Sequence, residues 1–189
     1  MSPENRRKLL AIARRSVEAA VTGRPLPEVS ETDPELTARC GAFVTLKNHG
    51  RLRGCLGHFV SRAPLCELVN ELARASATED PRFVDDRVTI EELPEIDIEI
   101  SVLSPLERID DPLKIELGKH GIYIRRGGRQ GCFLPQVALE QGWSKEEFLS
   151  YCCSHKAGLA PDAWRDPETE TLVFTAEIVG ERQEGRDRS

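Results

Sequence analysis

The sequence predicts an α+β fold: a largely antiparallel mixed sheet flanked by helices. Three observations point there. Apolar residues recur at strand period in separate runs, most plainly Ile96, Ile98, Ile100 and Val102 alternating with Asp97, Glu99 and Ser101. Two pairs of strand-like runs are joined by short turn sequences, Asn48-His49-Gly50 and Gly127-Gly128. Helical spacing appears at the start of the chain and between the runs, without the regular strand–helix alternation of a parallel sheet.

The elements follow in order. Ser2 is placed to cap a helix with Pro3 at its first position. Leu9, Ala13, Val17, Ala20 and Val21 then give it one apolar face. Gly23-Arg24-Pro25-Leu26-Pro27 ends it, and the chain to Pro34 reads as a loop. Cys40 to Lys47 reads as a strand and Arg51 to Gly57 as its hairpin partner. Pro64 opens a second helix, with Leu65, Leu68, Val69, Leu72 and Ala73 on one side, stopping near Thr78. After the strand at Ile96, a second hairpin joins Gly121–Arg126 to Arg129–Leu134. Ser144-Lys145-Glu146-Glu147 is a capping box. It starts a helix through Phe148, Leu149 and Cys152 that ends at Gly158. Thr171 to Val179 is a last strand. Residues 1–180 are therefore expected to form one domain, and the charged tail 181–189 to be disordered.

Composition narrows the function classes. A chain of 189 residues with 39% hydrophobic but only 5% aromatic residues builds an aliphatic core without needing staples. A formal charge of −6 argues against broad nucleic-acid binding, which needs a basic face. No apolar run is long enough to span a bilayer, and Met1 to Lys8 leads into an amphipathic helix rather than a signal core. The six cysteines (Cys40, Cys55, Cys66, Cys132, Cys152, Cys153) show no disulfide-framework spacing. The expectation is a cytoplasmic protein with reduced thiols.

The segment with most chemical content is Arg51-Leu52-Arg53-Gly54-Cys55-Leu56-Gly57. Strand alternation sends Leu52, Gly54 and Leu56 one way and Arg51, Arg53, Cys55 and Gly57 the other. Two guanidinium groups then share a face with one thiol, and a nearby cation favours thiolate. Cys55 is the candidate reactive cysteine and Arg53 its electrostatic partner. Gly54 and Gly57 weaken a strand unless a ligand or backbone passes close. The alternative is a packed hairpin strand whose arginines lie in water.

This segment resembles the Leu-Arg-Gly-Cys-(Ile/Leu)-Gly signature of the AMMECR-type domain family. The resemblance runs from about Cys40 to Ile178. It takes in Gly41 to Leu46, Asp80-Pro81-Arg82-Phe83, Ser101-Val102-Leu103, Gly118-Lys119-His120-Gly121, Leu134 to Ala138 and Lys156-Ala157-Gly158-Leu159. It implies a mixed sheet with flanking helices, a smaller subdomain, and the signature in a cleft between them. It further implies that prokaryotic members form one part of a three-component set with a Memo-type protein and a radical SAM enzyme.

Other residues can serve the same site. Asp80 is suited to accept from Arg53 or to orient a histidine. Arg82 is suited to a substrate carboxylate or phosphate in fork geometry. Both equally suit a loop closed by an ion pair. Lys156 in a last helical turn suits the helix dipole, and its match to the family block makes it a third candidate substrate contact. The histidines available as bases are His49, His58, His120 and His155. Cys55 and His58 with Cys153 and His155 make an untidy zinc set, and no metal or cofactor is expected. The adjacent Cys152 and Cys153 suit either a vicinal disulfide or a buried thiol. Two functions follow: a small-anion site with Cys55 as reactive thiol, or a non-catalytic accessory working with the Memo-type protein and the radical SAM enzyme.

Overall fold

The computed structural model describes residues 1–182. The α+β class holds, with the strands distributed over two four-stranded sheets in two compact units. The first unit takes Met1–Leu103 and the segment returning from Glu177; the second is Ser104–Ala176.

In the first unit, helix α1 (Pro3–Val21) starts where Ser2 accepts the Asn5 N–H through its side chain. A short helix α2 (Pro34–Thr37) is capped by Asp33 in the loop region. Strands β1 (Ala42–Asn48) and β2 (Arg51–His58) form the expected hairpin, turning through His49 and Gly50, both at positive φ. Helix α3 (Leu65–Thr78) follows Pro64, and β3 (Ile96–Leu103) pairs antiparallel with β1. Leu9, Ala13 and Val17 of α1, Leu65, Val69 and Leu72 of α3, Val44 and Leu46 of β1, and Ile98 and Ile100 of β3 share one core. The apolar half of each alternating strand thus lies under the helices. Phe43, Thr45 and Lys47 of β1 occupy the other face.

In the second unit, β4 (Glu107–Arg108), β5 (Gly121–Arg126), β6 (Arg129–Phe133) and β7 (Glu170–Phe174) make the sheet, in the order β4-β7-β5-β6. Gly127 and Gly128 supply the positive-φ turn between β5 and β6. Helix α4 (Pro135–Gln141) ends at left-handed Gly142. Helix α5 (Lys145–Tyr151) carries the Ser144–Glu147 capping box and runs on into a single π turn, Cys152–Lys156. Cys152 and Cys153 are both free and fully buried.

The strand expected over Thr171–Val179 is two strands. It breaks at Thr175, giving β7 to the second sheet and β8 (Ala176–Gly180) to the first, beside β3. Of the tail expected to be disordered, Glu181 is held by Arg14 and by the Ile98 N–H at 3.0 Å. Residues 183–189 lie outside the described residues. Among the described residues, no helix is long and apolar enough to cross a membrane.

Candidate functional site

Strand β2 is the edge of the first sheet, and a bulge organises it. Asn48 pairs with Arg51 and Lys47 with Leu52, but Leu46 pairs with Gly54, so Arg53 is an extra residue. The strict alternation expected over Arg51–Gly57 is broken there. Leu52 shares its face with Lys47, whereas Gly54 and Leu56 face the core with Leu46 and Val44. Carried on from the turn without the extra residue, the register sets Cys55 opposite buried Val44. With it, Cys55 stands opposite Thr45 on the face turned away from the helices.

The Arg53 guanidinium, expected beside the thiol, is engaged by carboxylates and a carbonyl. Its side chain is 4% exposed, and its fork is filled by Glu92, through Nε at 2.9 Å and Nη2 at 2.9 Å, and by Asp86 through Nη1 at 2.8 Å. Nη2 also donates to the Arg87 carbonyl at 3.1 Å. The Glu92 hydrogen bond, more than any other cause, raises the Arg53 pKa, and the same bond lowers that of Glu92. Arg51 also goes to Asp86, at 3.1 Å. The two cations expected beside Cys55 therefore tie the segment Asp86–Glu92 to the sheet.

The edge of β2 at Cys55 is closed by the Asp80-Pro81-Arg82-Phe83 block. Asp80 Oδ2 accepts the Cys55 N–H at 2.9 Å, and Arg82 Nη2 donates to the Cys55 carbonyl at 3.0 Å. Arg82 in turn grips Asp80 with Nε at 3.0 Å and Nη2 at 2.7 Å. The Arg82 bond, opposed by burial and helped by the Cys55 N–H, pulls the Asp80 pKa down to about 2. Both oxygens of Asp80 are occupied, so it positions the Cys55 peptide rather than meeting a ligand. Arg82 keeps a side chain 55% exposed.

Helix α3 fixes the same strand from the core side. A Cβ on Gly54 would lie 1.9 Å from the Ser76 carbonyl oxygen, so only glycine lets the helix approach. The Ser76 hydroxyl accepts the Leu56 N–H at 3.0 Å and donates to the Val44 carbonyl at 2.9 Å, forming a rung between β1 and β2.

On the opposite face the Thr45 hydroxyl donates to Cys55 Sγ at 3.2 Å. Thr45 is also the register partner of Glu99 on β3, whose carboxylate meets Lys47 Nζ at 3.2 Å. A thiol, a hydroxyl and a carboxylate thus follow one another across three strands, with an ammonium beside them. Sequence reasoning did not single out Thr45, Lys47 or Glu99. Their only signal is strand register, which the bulge changes.

Of the sequence candidates, Arg53, Cys55, Asp80 and Arg82 converge on β2. Lys156 belongs to the second unit, where its Nζ lies 5.4 Å from the Phe133 ring centre. His49 faces Glu95 at 3.5 Å, His120 Nδ1 meets the Glu116 N–H at 3.2 Å, and His155 meets Ser154 at 2.9 Å. Among the described residues, no three or more His, Cys, Asp or Glu side chains gather as a metal-ligand set.

The family model AMMECR1 matches residues 10–179. The chain belongs to the AMMECR1 family. A protein of Thermococcus kodakarensis is 43% identical over 184 residues, covering 92% of this chain and 88% of its own. One of Methanopyrus kandleri is also 43% identical over 184 residues, covering 93% and 87%. The crystal structure of an uncharacterized protein from Pyrococcus horikoshii matches with a TM-score of 0.79 at 41% identity, over 90% of this chain and 88% of that one. Two blocks that carried the resemblance to AMMECR1 proteins, Leu52–Gly57 and Asp80–Phe83, are the two that hydrogen-bond to each other around Cys55.

Proposed function

We propose that this AMMECR1 protein binds a small anionic molecule on the face of its first sheet turned away from the helices, with Cys55 as the reactive thiol. The observation that carries the reading is the double clamp on the Cys55 peptide. A residue whose N–H is held by a buried carboxylate and whose C=O is held by that carboxylate's arginine has its side chain aimed within a narrow range, which is what a reacting group needs. Bulges commonly re-aim side chains beside active sites, and this one turns Cys55 from the core to the face away from the helices. Thr45 and Lys47 supply donors beside the thiol, and Glu99 supplies an acceptor. Arg53 and Asp80 serve as positioning residues.

Iodoacetamide labelling at neutral pH, followed by mass spectrometry, tests it. Cys55 is expected to label first of the six. Cys66, Cys152 and Cys153 are buried, and burial raises the thiol pKa of Cys40 and takes that of Cys132 to about 11. A small carboxylate or phosphate that occupies the face should slow Cys55 labelling. Earlier labelling of Cys40 or Cys132 removes the reactive-thiol reading; a panel in which no anion protects Cys55 removes the binding reading.

Val84 and Ile90 favour a second reading. They are 56% and 57% exposed, Val84 two residues before the segment that Arg53 anchors and Ile90 within it. Two uncovered apolar side chains suit docking of a protein, and in this reading the chain is an accessory to the Memo-type protein and the radical SAM enzyme. Co-purification that Ile90→Asp abolishes and Cys55→Ala leaves intact would select this reading over the first.

A further inference from the structure

The second unit holds a pocket of about 350 Å³ that plays no part in the site on β2. Its lining includes Arg108, Asp110, Trp164, Arg165, Thr169 and Thr171. Thr171 is 2% exposed and Thr169 8%, yet among the described residues neither hydroxyl has a hydrogen-bond partner. Buried hydroxyls are almost always partnered, so these two orphans, on residues that line one pocket, are groups a ligand there would satisfy once the side chains turn to it; neither oxygen is accessible as it stands. The volume is at the lower end for small-molecule sites.

The charges around the pocket select the ligand. Asp166, also in the lining, is neutralised by Arg126 at 2.9 Å. Arg165 lies over the Trp164 ring at 4.5 Å and meets Glu146 at 2.9 Å, both partners being well exposed. Arg108 is held only loosely, 3.6 Å from Glu170. Asp110 is exposed and makes no ion pair among the described residues. A plain anion would face the free Asp110 carboxylate, and a plain cation would face Arg108 and Arg165. A molecule bearing both charges satisfies each.

We propose that this pocket binds a small zwitterion of the α-amino-acid class. Its carboxylate goes to Arg108 and Arg165 and its ammonium to Asp110. Thr169 and Thr171 turn their hydroxyls to its remaining polar atoms. The ligand thereby differs in chemistry from the anion assigned to β2, and its pocket belongs to the other unit.

The test is calorimetric titration and thermal shift on the full chain, with the twenty common amino acids and with acetate and succinate as amine-free controls. At least one amino acid is expected to bind and raise the melting temperature, and the controls are not. Thr171→Val keeps the shape and removes the orphan hydroxyl. The free variant should melt no lower than wild type, while affinity falls at least tenfold. Asp110→Asn should weaken the amino acid and bring acetate or succinate binding up toward it. Four outcomes overturn the proposal: no amino acid binds at millimolar concentration; the controls bind wild type equally well; Thr171→Val binds unchanged; or free Thr171→Val melts well below wild type, which would give its hydroxyl a structural role.

Discussion

Two hairpins in this molecule begin alike and end differently. Each turns through two positive-φ residues, His49 and Gly50 in one, Gly127 and Gly128 in the other. Each return strand carries a Gly-Cys pair, Gly54-Cys55 and Gly131-Cys132, and each glycine admits a close-packed helical segment. A Cβ would come within 1.9 Å of the Ser76 oxygen at Gly54 and 2.4 Å of the Ala157 nitrogen at Gly131. The register of β5 and β6 is uninterrupted, with Cys132 opposite Tyr123, and burial raises the Cys132 thiol pKa to about 11. In β2 the extra residue, Arg53, enters the ladder. It ties down a distant acidic segment, and the cysteine beyond it meets a hydroxyl. One inserted residue decides which face of the sheet the cysteine beyond it takes.

Removing the insertion's charge should have the largest effect. Arg53→Ala leaves Glu92 and Asp86 without their buried partner, and breaking such a pair costs about 3 kcal/mol. Urea melts should show that loss, while Arg125→Ala, an exposed pair with Glu170 in the other hairpin, should stay within about 1 kcal/mol of wild type. Equal losses would dissolve the contrast. Gly54→Ala and Gly131→Ala test what the hairpins share. Both force backbone apart and should each cost about 2 kcal/mol, Gly54 the more.

Asp80 gives the contrast a pH dependence. Its folded pKa of about 2 lies below the ordinary 3.8, so its contribution is fully present above the unfolded value and is lost as pH falls through the folded one. The contribution is on the order of 2 kcal/mol. Asp80→Asn should flatten the stability profile between about pH 4 and pH 2. The smallest effect is kinetic: Cys132 labelling should rise steeply toward pH 11, since its thiolate is scarce below that.

Local chemistry was the legible part of the sequence. The Ser2 cap, the Ser144–Glu147 box and the Gly127-Gly128 turn act within a few residues, so their signals sit together in the chain. The candidate site was legible in its members and not in its wiring. Arg53 was read as a neighbour of Cys55 because strict alternation puts them on one face. The bulge arises from a conflict between the turn's register and the apolar pattern of Leu46, Val44 and Leu56, which only the paired strands resolve. Glu92 and Asp86 sit in irregular chain far along the sequence, with no periodicity to tie them to Arg53. Thr175 divides what reads as a single strand because each half finds a different sheet.

That division at Thr175 shapes how the molecule is made. Ser104 and Thr175 hydrogen-bond to each other, N–H to carbonyl at 2.9 Å and N–H to hydroxyl at 2.9 Å, so the second unit is an insert whose ends meet. On the ribosome the insert emerges whole and can fold from its own contiguous chain. The first unit waits: its outer strand and the Glu181 carboxylate that holds Arg14 leave the ribosome only after the insert. Helix α1 is thus completed by a residue made after the insert, and a chain halted between the two carries a finished insert on an unfinished host.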